Sequence, residues 1–384
     1  MLFRSAGSGI TGGSGTANSI SGSSVTYAAG GNSGNTVTSG SANTGNGGGG
    51  SGNASSGAGG SGIVIISYAG STQLMAGGTV TISGGNVIHT FTTSGYLTPI
   101  KYVNNSLRFR SSASAYLSRT PTVASNQKTW TWSAWVKRGS LGTQQSLFAT
   151  SSQNFSIFFG SGNDLRVWTN GGNGSIYTNA VYRDPAAWYH IVLQSSTVSP
   201  YFQLYVNGSQ VTSFSYDNRT TYPGASNTEV DSAVAHYISG YTGYYFDGYM
   251  SEINFIDGQA LAPTAFGTFN SYGVWQPITY GGSYGTNGFY LPFTNTTSTT
   301  TLGYDFSPNG NNWTTNNISL TAGSTYDSMT DVPTLTSATA ANYAVANPLN
   351  VSGGTYADGN LTWTSPATDQ KSALSTMPDT TTGN

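Results

Sequence analysis

The sequence predicts an almost entirely β protein, and three features carry that expectation. Glycine supplies 52 of 384 residues, and charged side chains make up only 7%, where a soluble domain carries about 25%. The rest is rich in Ser, Thr and Asn, punctuated by 25 Tyr, 16 Phe and 8 Trp, residues that favour turns and pleated strands over helices. Coiled coils, helical bundles and charged disordered tails are excluded together. Twelve basic and fourteen acidic residues leave a net charge of −2, too little positive charge to neutralise a phosphate backbone, so nucleic acid is not an expected partner. The chain has no cysteine, which rules out thiol catalysis, thiolate metal sites and disulfides. Stability has to come from packing and assembly.

Four segments follow one another: 1–62, rich in Gly, Ser and Asn; 63–104, a small β module; 105–335, a jelly roll with a C-terminal wrap; and 336–384, a lead-in to a further β domain or a tail. No charged residue lies between Arg4 and Lys101, so the first quarter stays in solution through hydroxyls, amides and peptide groups. Residues 5–62 suit a flexible linker in a monomer. In an oligomer, glycine lets neighbouring backbones approach and pair their peptide groups between chains. Glycine does not recur at every third position, which excludes collagen. Met1-Leu2-Phe3-Arg4 runs at once into Gly and Ser, so no signal peptide is expected. The run Ile63–Ile66 is far too short for a bilayer span, and membrane insertion is not expected.

At Ile63 the pattern changes to Ile-Val-Ile-Ile-Ser-Tyr, a short buried strand, followed by alternating Val80 and Ile82, a Gly84-Gly85-Asn86 turn and Ile88–Phe91. A denser aromatic pattern begins at Ser106. Thr129–Arg138 reads TWTWSAWVKR, and a period of two places Trp130, Trp132 and Val136 on one face with Trp135 on the other. Trp188–Leu193 and Tyr201–Val206 lead into Asn207-Gly208, the strongest short hairpin signal. Tyr245–Ile256 alternates Tyr249, Ile253 and Phe255 toward one side and ends at an Asp257-Gly258 turn. Many strands at this spacing indicate a sandwich or jelly roll.

Two resemblances rest on these residues. Gly59-Gly60-Ser61-Gly62 with Ile63–Tyr68, followed by Gly77-Gly78-Thr79-Val80 and Ile88-His89-Thr90-Phe91-Thr92, resembles the glycine-rich module of fibre and other virion-surface proteins of marine tailed bacteriophages. The ordered series Leu107-Arg108-Phe109, Trp130 to Arg138, Trp188 to Val192, Leu204 to Gly208 and Phe246 to Ile253 resembles the concanavalin A-like, laminin G-like jelly roll. That resemblance implies two antiparallel sheets, one concave, with rim loops used for glycans or calcium. Gly288–Phe293 and Leu302–Trp313 are similar to the segment that follows this domain in the same phage proteins. Asn342–Leu349 and Asn360–Thr362 resemble the lead-in to a domain of the SPRY type.

Chemistry is sparse. Glycan hydrolysis needs two nearby carboxylates, and the two glutamates, Glu229 and Glu252, are far apart in sequence; Glu252 reads as an outward polar residue of a strand. The histidines His89, His190 and His236 form no HExxH pattern, and no serine sits in a nucleophile-elbow context. No cofactor is expected. Calcium is the one plausible metal, with oxygens from Asn163, Asp164 and Asp247, against the alternative that these residues only shape turns. Sugar rings stack on aromatic faces while amides take the hydroxyls. Trp168, Asn170, Tyr241, Tyr244 and Tyr245 are therefore the candidate carbohydrate site, unless these aromatics pack the sheet or an interchain contact.

The resemblances imply a phage virion structural protein, a tail or head fibre at the virion surface, acting as a non-enzymatic adhesin for host-surface glycans. Its partners would be those glycans and other virion proteins, in a homo-oligomer with a trimer as first expectation. Weak glycan sites gain from such multivalency. The alternatives are a non-binding capsid or filament decoration protein held by interchain contacts, and a secreted bacterial adhesin.

Overall fold

Among the strands of this computed structural model, the longest is Gly248–Asp257, ten residues buried throughout, and beside it runs Trp130–Arg138, nine residues equally buried. The structure describes residues 11–377 except 35–36, 52–54, 72, 96, 152–153, 222–227, 241–242, 271, 338, 352 and 367–371. The chain divides into two units, 1–101 with 268–279 and 102–267 with 280–384. Among the described residues no helix is long and apolar enough to cross a membrane.

The first unit holds a three-stranded antiparallel sheet in which Asn86–Phe91 lies between Val64–Ala69 and Thr79–Ser83. Gly84 and Gly85, both at positive φ (58° and 73°), make the turn, so Asn86 opens the return strand and is not part of the turn. The glycine-rich segment folds on itself. Gly30 N–H donates to Gly13 O at 2.8 Å, Gly47 to Ala29 O at 2.7 Å, Gly57 to Gly49 O at 2.8 Å and Gly60 to Asn46 O at 2.8 Å. A Cβ on Gly48 would collide with the Gly57 carbonyl, so only glycine permits segments this close. Within one chain these peptide groups therefore pair with one another.

The second unit is a sandwich of two eight-stranded antiparallel sheets. The first sheet runs in the order Ser209–Gln210, Phe202–Val206, Trp188–Ser195, Trp130–Arg138, Gly248–Asp257, Ser106–Phe109, Ser328–Met329, with Phe289–Leu291 also on Gly248–Asp257. The second runs Phe214–Asp217, Ile176–Val181, Asp164–Thr169, Phe155–Phe159, Gln145–Thr150, His236–Ile238, Tyr116–Arg119, Thr314–Asn316. Trp130, Trp132, Phe148, Phe155, Phe255 and Phe289 form the core between them. Trp130 meets Phe155 edge-on at 5.4 Å and Phe255 stacks on Phe289 at 5.7 Å. The Nε1 atoms of Trp130 and Trp132 have no hydrogen-bond partner, a cost of about 1–3 kcal/mol each. Burial of each ring, about 150–250 Å² at about 25 cal/mol per Å², contributes roughly 4–6 kcal/mol and outweighs it.

Asn207 (φ 48°) and Gly208 (φ 78°) form the expected two-residue hairpin turn, with Val206 opposite Ser209. Tyr249 departs from its expected face. Opposite Ala134 the long strand inserts an extra residue: Ser133 pairs Asn254 while Trp135 pairs Ser251, and Glu252 takes φ 53°. This bulge shifts the alternation, so Ile253 and Phe255 stay in the core, Met250 joins them, and Tyr249 turns to the outer face.

That outer face is covered by the C-terminal part of the chain. Lys137 Nζ reaches Asp331 Oδ2 at 2.7 Å with both side chains buried, and Arg108 and Arg110 bind Asp327 at 3.2 and 2.8 Å. Tyr249 donates its hydroxyl to Gly359 O at 2.9 Å, and Trp188 Nε1 donates to Asp331 Oδ1 at 3.1 Å. Farther along the same sheet, Val192 and Ile256 are covered by Phe266 and Tyr284.

Candidate functional site

While the first sheet's outer face is covered, the second sheet's outer face carries the exposed aromatics Trp168 and Tyr216, with Tyr244 beside them. Alternation along Asp164–Thr169 buries Leu165 and Val167 and turns Arg166 and Trp168 outward. Trp168 lies opposite Ser156, and Arg166 stands between Phe158 and Tyr177 on the flanking strands. Tyr177 in turn pairs Tyr216, the ring centroids 5.2 Å apart.

Arg166, Trp168, Tyr177, Ser146 and Tyr244 line one open groove of about 310 Å³, at the lower end of the range for small-ligand sites, about 300–1,000 Å³. Trp168 is 37% exposed and Tyr244 45%. Tyr244 is fixed from its backbone, its carbonyl accepting Ser146 N–H at 2.8 Å. The Arg166 guanidinium lies 4.6 Å from the centre of the Tyr177 ring, and Asp164 holds it at 2.6 Å. A turn at Gly160–Asn163 makes room for that ion pair, because a side chain on Gly160 would meet both partners at 2.6 Å. Burial holds the Tyr177 phenol above its ordinary value, with Arg166 pulling the other way; the phenol remains a neutral donor at physiological pH. The groove thus offers aromatic faces, hydroxyls and one internally neutralised charge pair.

The structure brings two of the five carbohydrate candidates, Trp168 and Tyr244, into this groove. Asn170 is exposed and donates its N–H to Asn154 O at 2.9 Å; it is not among the groove's lining residues. Tyr245 packs 6.0 Å from Tyr116 and lines a neighbouring pocket. Tyr241 lies outside the described residues. Arg166, Tyr177 and Ser146 had not been singled out, although alternation from Trp168 identifies Arg166.

The calcium candidates are engaged by donors. Asn163 Oδ1 accepts from Arg138 at 3.1 Å and from Gly142 N–H at 2.9 Å, and both Asp164 oxygens bind Arg166. Asp247 accepts from Gly359 N–H at 2.9 Å and from the Ser111 hydroxyl at 3.2 Å. At Asp164 a calcium ion would share the carboxylate with the Arg166 guanidinium. Among the described residues no group of three or more His, Asp or Glu is placed to hold a metal ion. Glu252 is buried at the bulge, not outward, and its oxygens accept the Tyr290 hydroxyl at 3.0 and 2.9 Å. No carboxylate is among the groove's lining residues. The histidines sit in separate buried networks. His190 is stacked on Trp135 at 4.9 Å and pushed down to about 3 by burial, and His236 is pushed down to about 4, also by burial.

Two large antiparallel sheets over a shared aromatic core define a lectin-like, concanavalin A-like β-sandwich. Residues 110–265 match the family model described as the concanavalin A-like lectin/glucanases superfamily, of laminin G type, so the chain contains a domain of that kind. Among solved structures it is similar to a candidate carbohydrate-binding protein from Bacteroides ovatus, 17% identical, covering 66% of this chain and 67% of that one at a TM-score of 0.40. It is also similar to the heptameric SAP-like pentraxin of Limulus polyphemus, at 16% identity, 41% and 78% coverage and a TM-score of 0.31. The sialidase of Trypanosoma rangeli gives 14%, 36% and 22%, and 0.28. At these scores the three carry no argument about what this chain binds. A search of curated proteins returns no match.

Proposed function

We propose that the protein binds neutral surface glycans through the groove at Trp168 and Tyr244, without cleaving them, as an adhesin on the surface of a tailed bacteriophage. The observation that carries the glycan reading is the meeting of Trp168 and Tyr244, from distant parts of the sequence, in one groove on the uncovered sheet face. A sugar ring stacks on the indole, while Ser146, Tyr177 and Arg166 line the groove where they can exchange hydrogen bonds with its hydroxyls. Cleavage needs an acid and a second carboxylate flanking the bond, and the groove's lining supplies neither. The virion assignment is supported by the likeness of residues 57–98 to the phage glycine-rich module and by the uncharged first quarter. A fibre trimer would multiply a weak site by effective concentration. Binding of the purified chain to a glycan array, with Trp168→Ala as the control, tests the glycan reading. Localisation of the chain on phage particles by immunogold labelling tests the virion reading.

A further inference from the structure

The groove does not stop at Tyr244. Gln144, at its margin, also lines a second pocket of about 520 Å³ whose walls include Ser140, Thr143, Gln145, Tyr245, Pro348 and Tyr356. Pro348 and Tyr356 come from the C-terminal segment, beyond the residues that match the lectin family. None of the lining residues is charged.

Two polar groups in this wall have no hydrogen-bond partner. Gln145, 2% exposed, leaves Oε1 unpaired, and Tyr356 leaves its hydroxyl unpaired. A buried polar atom left in this state is costly, and it marks a place where a further donor or acceptor belongs. The pocket's Ser111 and Ser112 hydroxyls, by contrast, are committed to Asp247 and Asp358 at 3.2 Å each. An amide oxygen that can only accept and a phenol that can donate or accept, lining one uncharged pocket, match an alcohol and not an ion. Both atoms are shielded from solvent, so contact with a ligand requires both side chains to turn toward the pocket, the Gln145 amide about its soft terminal torsion.

We propose that this pocket is a second subsite for the same glycan, taking a further neutral sugar residue of a chain whose first ring lies on Trp168. The Gln145 amide oxygen accepts one of its hydroxyls, the Tyr356 phenol bonds another, and the Tyr245 ring forms a wall. The proposal rests on the groove being a glycan site. The pocket then makes the protein selective for oligosaccharides over single sugars.

The test is calorimetric titration of the full chain with neutral oligosaccharides of one to six units, drawn from the series that binds on the array. The variants are Tyr356→Phe, which removes one hydroxyl, and Thr143→Trp, an exposed loop position where a large ring fills the pocket without disturbing the core. Wild type gains affinity with length, and both variants lose that gain, by about tenfold for the loss of one or two hydrogen bonds, while single sugars bind as before. Length-independent affinity in wild type, or unchanged binding of long oligosaccharides by Thr143→Trp while Trp168→Ala abolishes it, overturns the second subsite alone. Binding of no glycan by wild type, or binding indifferent to Trp168→Ala, overturns the groove reading and the subsite with it.

Discussion

Asp164 and Arg166, two residues apart on one strand, hold each other through two contacts of 2.6 and 3.2 Å, so the guanidinium that lines the groove has its counter-charge beside it. A ligand in the groove meets almost no net field. Glycan affinity is therefore expected to change less than about twofold between low salt and about 0.5 M salt, since screening acts on unbalanced charge. Asp164→Asn frees the guanidinium and should shift preference toward acidic sugars while introducing a salt dependence. Binding isotherms at several ionic strengths check both.

The turn at Asn207 and Gly208 gives a stability prediction. Gly208 sits at φ 78°, a region a β-branched residue resists, so Gly208→Val is expected to cost about 1–2 kcal/mol. The expected signature is a lower denaturation midpoint with an unchanged urea slope; a midpoint equal to wild type counts against the turn.

Beneath the C-terminal segment, Lys137→Met leaves the Asp331 carboxylate without its cation. Removing one member of a buried pair typically costs about 3–5 kcal/mol. Burial raises Asp331 above the usual carboxylate range, with Lys137 pulling it down. The variant should raise it further and protonate it more readily. Denaturation curves at pH 5 and 8 should show the variant's deficit growing with pH.

Asp231 gives a pH dependence of known sign. Burial, reinforced by the neighbouring Asp257 carboxylate, pushes it up to about 8 from an ordinary 3.8. Burial also opposes ionisation of Asp257, but the Asp231 carboxyl, the Ser125 hydroxyl and the Asn287 and Asn126 N–H groups hold it below its ordinary value. Between about pH 4 and 8 the folded chain binds one more proton at Asp231 than the unfolded chain. This contribution to stability is whole below pH 4 and is lost as pH rises to 8. Asp231→Asn, neutral throughout, should flatten that slope and melt above wild type at pH 8.

Local chemistry was legible in the sequence, and long-range closure was not. Asn207-Gly208 announced its hairpin because the turn depends on two adjacent backbones, and Trp130 and Trp132 announced a core face by simple alternation. The same alternation misplaced Tyr249, because the bulge at Glu252 is needed only once Trp130–Arg138 is paired beside it. Trp168 and Tyr244 stood out by composition. Their shared groove depends on the long-range fold, and Arg166 was hidden as an ordinary surface charge. The self-pairing of the glycine segment follows from turns that no side-chain pattern marks.

The proposed function requires that Trp168 and Tyr244 form a glycan-binding platform that does no chemistry. The most direct measurement titrates wild type, Trp168→Ala and Tyr244→Ala with the neutral glycan that binds best on the array, following the same mixtures for released oligosaccharide. Losses of about 1–3 kcal/mol are expected in each variant, if stacking on a sugar resembles stacking on a base, with no product from any of them. Undiminished binding in both variants, or oligosaccharide release that Glu229→Gln or Glu252→Gln abolishes, would contradict it.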